Sequence, residues 1–527
     1  MQPRQRLSFS RRKLLLGTGA AGLALGAGGI FMPRISRASS RPQLGHGLQS
    51  GDIGAHEGVV WARADREARM TVEWSTTENF ANPHRVQWLD VSEAADFAGK
   101  INLTGLPSDQ DIFYRVKFLD LADMTSESET LSGHFRTAPM SRRDLTFVWS
   151  GDTVGQGWGI DVDRGGMKCY AAMTRHQPDF FIHSGDTIYA DGPVVAEKEM
   201  PDGGIWKSLV VEEKAKVAET LNEFRAQWKY NLLDEHLRAF NAAIPAYVQW
   251  DDHEVTNNWY PGEMLIADER YKVKSSSLLA SRAVRAFHEM NPIRPNPDEP
   301  YRVYRKIPYG PLLDIVMLDM RTYRGKNSRN DQATRSADTS FLGRDQIDWI
   351  KRCLLESTAT WKVMAADMPL GLIVPDGETG SFENGANGDG PVKGREFDVA
   401  EILSFIKANG IKNVVWLTAD VHYTAAHYYD PNKAQFQDFL PFWEFVSGPL
   451  HAGTFGPNQL DNTFGPEVKF VKAPEEGKVN LPPSFGLQFF GHVKIDGKTE
   501  VMTVTLRDAD DQKLWAIDLT PEATSAI

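Results

Sequence analysis

The sequence predicts an α/β domain that follows a smaller all-β domain, and three observations lead to this prediction. Short runs with period-two alternation occupy residues 45–138, as in "RMTVEWS" and "FYRVKFLD". From Leu145 onward, apolar strands alternate with helical stretches, which is the pattern of a sheet with helices outside it. The predicted helical stretches are Met167 to His176, Glu212 to Trp228, Ser275 to Met290, Gly343 to Glu356 and Phe397 to Asn409. Four of these later strands end in acidic residues, which indicates where a binding crevice lies.

The beginning of the chain has the features of an export signal. Residues 1–38 contain seven basic residues and no acidic one, and Arg11-Arg12 precede an 18-residue apolar, glycine-rich stretch from Leu14 to Phe31. Ser36-Arg37-Ala38 then offers small residues at the positions that a signal peptidase reads. We therefore predict a twin-arginine signal peptide over 1–38, with the mature protein in the periplasm or secreted. The alternative is a membrane anchor, although about 20 apolar residues are usually needed to span a bilayer.

The rest of the chain is acidic. The 527 residues carry a net charge of −12, and removal of the seven positive charges of the leader leaves −19. Because such a surface repels nucleic acid and anionic lipid, we expect no specific recognition of duplex nucleic acid and no stable membrane insertion of the mature form. An anionic substrate would need a positively charged binding site on this acidic protein, and metal ions could supply that charge.

Two domains are predicted after the leader. Residues 39–140 form a small β-sandwich of the immunoglobulin or fibronectin type, because short alternating strands are separated by polar turns. Residues 141–527 form the α/β catalytic domain, and Asp496-Gly497 near its end is a two-residue turn signal that predicts a hairpin. Within it, Gly371–Glu396 is a 26-residue segment with seven glycines, and a loop of that length is usually functional or disordered.

The polar side chains that follow four strands of the α/β domain are the candidate site. The strands are "LTFVWS", "DFFIHS", "AYVQW" and "NVVWLT", and the carboxyl ends of strands in such sheets meet at one crevice. Carboxylates that lie close together raise one another's pKa values unless cations offset their repulsion. The pattern therefore predicts a metal site. The side chains that follow the four strands are Asp152, Asp186, Tyr189, Asp251, Asp252, His253, Asn257, Asp420 and His422.

Each of these residues has a simpler structural interpretation when taken alone. A Gly-Asp pair after a strand is usually a turn, Asp251 could cap a helix, Tyr189 could be a packing residue and His422 a buried core histidine. These interpretations lose weight because the same arrangement recurs at four strand ends. Weaker candidates are Arg321 and Arg324, which could hold a phosphate oxygen, and His451, which could be a further ligand.

The ligand types restrict the metal. The two cysteines, Cys169 and Cys353, are in no CxxC pair, which excludes a thiolate zinc site and leaves them either paired or separately buried. Carboxylate, imidazole and amide ligands suit Mn, Fe, Ca, Mg or Zn. A tyrosine three residues after Asp186 suits Fe(III), so we hypothesise that Asp186 bridges two metals and that Tyr189 binds one of them.

The motifs "GDTIYADG", "WDDHEVTNNW" and "TADVHYTAAHYYD" resemble those of the alkaline phosphatase D (PhoD-like) family of metallophosphoesterases. The resemblance covers nearly the whole chain, since "LQSGDIGAHEGVVWARAD" is similar to that family's N-terminal β domain. It implies a sandwich of two mixed β-sheets flanked by helices. It also implies hydrolysis of phosphate mono- and diesters by metal-activated water, without a covalent phospho-enzyme.

The resemblance further implies roles for individual residues. Asp186 would be the bridging carboxylate, Tyr189 the iron-binding phenolate, Asp420 and His422 the final ligand pair, and Asn257 a ligand of the second metal. His253 would face the leaving group, and Asp252 would be a ligand or orient His253. Some members carry a cysteine iron ligand near the position of Gly151-Asp152, where this chain has none. Asp152 is the ordinary first ligand of the wider superfamily. The resemblance therefore leaves two possibilities for the metal ions, either Fe(3+) with Ca(2+) or a combination that contains Mn(2+) or Zn(2+).

The prediction from sequence is therefore an exported metal-dependent phosphatase or phosphodiesterase. Its partners would be phosphate-ester small molecules or polymers and, during export, the twin-arginine translocation machinery. The alternative is a non-catalytic periplasmic protein that binds metal or phosphate. Such a protein would not need an acid such as His253 beside the metals.

Overall fold

A computed structural model describes residues 41–522, so the predicted signal peptide over 1–38 lies outside the described residues. Helices α1 to α6 are Lys168–Thr174, Leu221–Asn231, Glu235–Ala243, Ser276–Met290, Arg344–Leu355 and Glu396–Ala408. No helix among residues 41–522 combines the length and apolar character needed to cross a membrane.

Twenty-three strands are present in the described part of the chain. Strands β1 to β8 are Leu48–Gly51, Glu57–Arg63, Ala68–Ser75, His84–Arg85, Leu89–Val91, Ala98–Thr104, Asp111–Asp120 and Leu131–Arg136. Strands β9 to β13 are Leu145–Ser150, Phe180–Ser184, Glu197–Glu199, Ile205–Lys207 and Ala246–Gln249. Strands β14 to β20 are Arg305–Pro308, Leu313–Met317, Trp361–Ala365, Val414–Thr418, Thr424–Tyr429, Phe442–Val446 and Pro466–Lys472. Strands β21 to β23 are Phe489–Ile495, Met502–Asp508 and Lys513–Leu519.

Two large mixed sheets form the centre of the α/β part. One has nine strands in the order β23-β22-β21-β9-β10-β13-β1-β2-β6, and the other has seven in the order β14-β15-β16-β17-β19-β18-β20. Strands β9, β10 and β13 are parallel in the first sheet, and β15, β16 and β17 are parallel in the second. The predicted mixed two-sheet sandwich with flanking helices is confirmed.

A continuous apolar core joins the two sheets. Phe147 and Ile182 of the first sheet belong to the same buried cluster as Ile315, Val363 and Leu417 of the second. Because the side chains of a strand alternate, the opposite faces carry Val148 and Trp416, which pack against helices. Helices α1 to α4 cover the first sheet, and α5 and α6 cover the second.

The N-terminal region is rich in strands, as predicted. Strands β3, β4, β5, β7 and β8 form a five-stranded sheet that packs on β1, β2 and β6. Gly51 of β1 pairs with Ala246 of β13, so β1, β2 and β6 also continue the nine-stranded sheet. The boundaries at residues 39–140 and 141–527 stay predictions.

The helices agree with the sequence patterns except in one region. The stretch Glu212–Trp228 is interrupted: Glu212–Ala215 is a 3₁₀ turn, and α2 starts only after Thr220, whose side chain forms a capping box with Glu223. Helix α3 follows, capped by Asp234, where no helix was expected. Cys169 and Cys353 are both free and buried, so the separate-thiol alternative is the observed one.

Candidate metal centre

The predicted site residues converge where the parallel strands of both sheets end. Strands β9, β10 and β13 lead into the loops of Asp152, Asp186 and Asp252, and β17 leads into the loop of Asp420. A cavity of about 830 Å³ lies beside these loops. The predicted residues that line it are Asp186, Tyr189, Asp252, His253, Asn257, Asp420 and His422. Asp152 lies deeper, with 1% of its surface exposed.

The backbone of these loops is held in an unusual conformation. Asp152, Asp186, Asp420 and His422 have φ values of 65°, 52°, 68° and 59°, in the left-handed region that residues other than glycine adopt rarely. Gly185 has a φ of 103°, and a Cβ there would come 2.6 Å from the Cβ of Asp251. The glycine before Asp186 is therefore required both by its conformation and by the close approach of the next loop.

Among residues 41–522, three groups of side chains could each hold a metal ion, with all ligand atoms of a group within 4.8 Å of one another. Asp186 and Asp252 each belong to two of the groups, as a bridging ligand would. The three groups are Asp152 with Asp186 and His422, Asp186 with Asp252 and His253, and Asp251 with Asp252 and Asp420. No cysteine belongs to a group among the described residues, and Cys169 lies on α1 in the core.

The electrostatics of the cluster fit a cation. Burial and the neighbouring carboxylates raise the pKa values of Asp152, Asp186 and Asp420 well above the ordinary value. Both carboxylate oxygens of Asp152 are buried and have no hydrogen-bond partner among residues 41–522. An unpaired buried carboxylate costs several kcal/mol, on the order of the desolvation penalty of an ion, and metal coordination offsets that cost. The residues present therefore fit a metal centre.

Tyr189 lies beside the same ligands. Its hydroxyl is 2.8 Å from Nε2 of His422, and that imidazole nitrogen is 3.5 Å from an oxygen of Asp152. Nδ1 of His422 hydrogen-bonds the carbonyl of Gly453, which fixes the ring and leaves Nε2 on the Tyr189 side. Burial lowers the pKa of His422 to about 4, so the ring is neutral, as a metal ligand must be.

His253 is oriented by a carboxylate that the sequence analysis did not include. Nδ1 of His253 is 2.7 Å from an oxygen of Asp191, and the other oxygen of Asp191 accepts the N–H of Asn257 at 2.8 Å. The ring of Tyr189 lies over the imidazole, with the centroids 4.2 Å apart. Burial alone would lower the pKa of His253, but Asp191 and Asp252 raise it to about 10. The imidazole is thus held protonated at neutral pH.

Glu254 connects the two loops that carry Asp186 and Asp251. Its Oε2 accepts the backbone N–H groups of Asp251 at 2.8 Å and of Asp186 at 3.2 Å, and its Oε1 accepts that of Thr187 at 2.6 Å. Three donors on one buried carboxylate fix the separation of the two loops. The side chain does not line the cavity, so its contribution is to position the ligands.

Arg321 lies elsewhere than we expected. Its side chain has no exposed surface, and its guanidinium hydrogen-bonds the carboxylates of Asp251 and Glu383, with Asp367 at 3.5 Å. These contacts are those of a buried counter-charge to the acidic cluster. Binding of substrate phosphate by Arg321 stays a prediction.

Three other candidates can be placed. Asn257 is exposed and lines the cavity, so its role as a ligand stays a prediction. His451 is buried, with Nε2 3.1 Å from the carbonyl of Gly159, and it belongs to none of the three groups. Arg324 is buried beside Phe341 and does not line the cavity.

Some acidic residues of the centre were missed. Asp367 lies two residues after the end of β16 and could have been found by the same strand-end rule. Asp191 stands within the quoted motif "GDTIYADG", but nothing local identifies it as the partner of His253. Glu383 comes from the glycine-rich segment 371–396, and only the tertiary fold brings it to the cavity.

Comparisons with known proteins identify the family of this chain. A family model described as PhoD-like phosphatase matches residues 147–506, and one described as PhoD-like phosphatase, N-terminal domain, matches residues 31–139. The chain is 27% identical over 489 residues to alkaline phosphatase D of Bacillus subtilis (strain 168), covering 87% of this chain and 79% of that protein.

Two solved structures share the fold. A PhoD structure superposes with a TM-score of 0.67 at 21% identity, covering 91% of this chain and 90% of the other. A purple acid phosphatase, PPD1 from seeds of yellow lupin (Lupinus luteus), superposes with a TM-score of 0.55 at 14% identity, covering 91% of this chain and 77% of the other.

Proposed function

The chain belongs to the PhoD-like phosphatase family and is a phosphatase, and from this premise we propose that it is an exported, metal-dependent enzyme that hydrolyses phosphate esters. Its substrates are esters of small molecules or polymers. The observation that supports metal dependence best is the buried carboxylate of Asp152, which has no hydrogen-bond partner and lies in a group with Asp186 and His422.

We assign side chains to the cations from these groups, and we add Tyr189 and Asn257 from their places in the motifs that resemble the family's. Asp152, Asp186, Tyr189 and His422 would hold one cation. Asp252, Asn257 and Asp420 would hold a second, with Asp186 available to both. A phenolate and two carboxylates suit Fe(3+), and oxygen ligands suit Ca(2+), with Mn(2+) or Zn(2+) as alternatives. Bound cations supply the activation of the attacking water and neutralise charge on the phosphoryl oxygens.

His253 is the proposed proton donor to the leaving oxygen. Asp191 engages Nδ1, so Nε2 is the nitrogen that remains for the leaving group. Tyr189 covers one face of the ring and limits its rotation. A protonated imidazole held in the cavity is suited to general acid catalysis.

Export by the twin-arginine route is proposed from the leader alone. Arg11-Arg12, the glycine-rich apolar stretch and Ser36-Arg37-Ala38 support a signal peptide over 1–38 and delivery to the periplasm or the medium. The mature chain would comprise the β domain at 39–140 and the catalytic domain at 141–527.

Chelation tests the proposed metal dependence. Hydrolysis of 4-nitrophenyl phosphate is measured on the purified protein, after removal of metal, and after addition of Fe with Ca, Mn or Zn. We expect activity to disappear on chelation and to return with at least one of these additions. Full activity of the metal-free protein would refute metal dependence, whereas phosphate binding without turnover by the metal-loaded protein would favour the binding-protein alternative.

A further inference from the structure

Lys198 stands at the rim of the acidic cavity without an acidic partner. It lines the same cavity as Asp186, Asp252 and Asp420, and no carboxylate among residues 41–522 forms an ion pair with it. We propose that Lys198 binds a second phosphate group of the substrate, so that the enzyme favours esters that carry another phosphate beside the one it hydrolyses. This inference rests on the proposed phosphoesterase function.

The ammonium group of Lys198 is held in place by two contacts. Nζ donates a hydrogen bond to the carbonyl of Gln156 at 2.7 Å and lies 3.8 Å from the centroid of the Trp158 ring. These contacts satisfy one N–H and one face of the ammonium, which leaves donors for an incoming anion. A cation that is already positioned loses little conformational entropy when it binds a ligand.

The support under Lys198 is itself rigid. Trp158 is buried, its indole N–H donates to Oδ1 of Asn480 at 2.7 Å, and its ring packs edge-on against Trp206 of β12 at 5.8 Å. Lys198 lies on β11, which pairs with β12 through Trp206. Gly157 allows the close approach, since a Cβ there would lie 3.3 Å from Nζ. The side chain of Lys198 is therefore held against the cavity by buried residues.

Arg270 offers a contrast on the same cavity. Its guanidinium forms hydrogen bonds to both oxygens of Asp268, the shortest at 2.7 Å, and a further bond to the carbonyl of Asp191 at 3.1 Å. Its charge is neutralised locally, so it offers an anion much less than Lys198 does. Lys198 is half-buried, and this burial lowers the pKa of its ammonium group, an effect that an anion bound beside it would oppose.

The size and charge of the cavity explain why a second anion would need this residue. A volume of about 830 Å³ is far larger than one phosphoryl group, so a substrate extends beyond the metal centre. The acidic residues around that centre repel any anionic group that is not bound by metal. A second phosphate is therefore accommodated only beside a fixed positive charge that lies away from these acidic residues. Lys198 supplies that charge.

Matched substrates test this inference. The probes are the bisphosphates of propane-1,3-diol and hexane-1,6-diol, each compared with the monophosphate of the same diol. The ratio of kcat/KM for bisphosphate over monophosphate is measured for the natural protein and for Lys198→Met, Lys198→Gln and Lys198→Arg. Lys407→Met, at the end of α6, is the control for loss of one positive charge.

A bisphosphate offers two equivalent groups for hydrolysis, which alone would double kcat/KM relative to the monophosphate. We expect the ratio of the two kcat/KM values to exceed two for at least one of the two diols. It should fall about tenfold in both neutral variants, mainly through KM, and stay near the natural value in Lys198→Arg and Lys407→Met. An unchanged ratio in the neutral variants would overturn the assignment. If the natural protein hydrolyses neither ester, the proposed function fails, and the role of Lys198 is then tested by calorimetric binding of the bisphosphate. Equal affinity of the natural protein and Lys198→Met would overturn that role. Weaker binding to Lys198→Met would support it.

Discussion

An oxygen of the Asp191 carboxylate lies 2.7 Å from Nδ1 of His253. The pair determines both the orientation and the charge of the imidazole that faces the cavity. Burial acts against the charged ring, and the carboxylates of Asp191 and Asp252 outweigh it, so the pKa of His253 rises to about 10. Below that pH the ring carries the proton that a leaving oxygen requires.

Replacement of Asp191 by asparagine should move the alkaline limb of the kcat profile to lower pH. The amide removes a negative charge from Nδ1, so the pKa of His253 falls and the protonated ring is lost at a lower pH. We expect kcat for alkyl phosphates to fall at high pH and to recover toward neutrality. His253→Gln should lower kcat for the same esters about 10²–10⁴-fold at pH values below about 10, where the natural ring is protonated. An alkaline limb that does not move in Asp191→Asn would contradict the role of the pair.

Glu254→Gln should reduce stability, metal content and activity together. Three backbone N–H groups point at the two oxygens of Glu254, and an amide group can accept from only one side. Leaving a buried donor unpaired costs about 1–3 kcal/mol, which a melting curve and a metal assay can detect. Glu213→Gln, an exposed carboxylate in the turn before α2, is the matched control and should change neither. A fully stable, fully loaded Glu254→Gln protein would show that the loops are fixed by other contacts.

Tyr189→Phe should remove colour and iron while the fold persists. A phenolate bound to Fe(III) absorbs visible light by charge transfer, and the substitution deletes only the oxygen that lies 2.8 Å from Nε2 of His422. If the phenol served packing alone, the loss would be one hydrogen bond, about 1 kcal/mol of stability. A visible spectrum and an iron assay on both proteins separate these outcomes. Unchanged colour and iron would leave Tyr189 as a packing residue, and a colourless, active parent would point to Mn, Zn or Ca.

The strand ends could be predicted from the sequence because the signal is local. An apolar run of five or six residues followed by Gly-Asp or Asp-x-His is visible without knowledge of the fold, and the parallel strands bring Asp152, Asp186 and Asp420 together as expected. What the sequence could not give was the long-range pairing. Glu383 reaches Arg321 from a glycine-rich segment 62 residues away, and this pairing places a buried carboxylate on the guanidinium that we predicted to bind phosphate.

Local competition explains the errors in the helices. The capping box of Thr220 and Glu223 starts α2 late, because a cap satisfies N–H groups that a continuous helix from Glu212 would have bonded internally.

The predicted turn at Asp496-Gly497 does join two antiparallel strands, β21 and β22, although it is longer than two residues. The N–H of Asp496 donates to the carbonyl of Val501. The left-handed conformation of Asp152 and Asp420 has no sequence signal, since aspartate tolerates it without requiring it.

Conversion of both Arg11 and Arg12 to lysine should leave the precursor in the cytoplasm. The prediction rests on the arginine pair in front of a weakly apolar, glycine-rich stretch, which the twin-arginine route requires and the general secretory route does not. Fractionation of cells that express each form measures the result, with Arg41→Lys as a control beyond the predicted cleavage site. Efficient export of the double variant would favour the general secretory route or an anchor.

The central claim is that the carboxylates at the strand ends hold the metals on which hydrolysis depends, and Asp186→Ala tests it most directly. Asp186 belongs to two of the three ligand groups, and no other carboxylate is common to the same two. The measurement is metal content per chain and phosphatase activity on the same preparation, beside Asp348→Ala, an exposed carboxylate on α5. We expect Asp186→Ala to lose at least one metal per chain and all measurable activity, while Asp348→Ala keeps both. Near-normal turnover with full metal content in Asp186→Ala would contradict it.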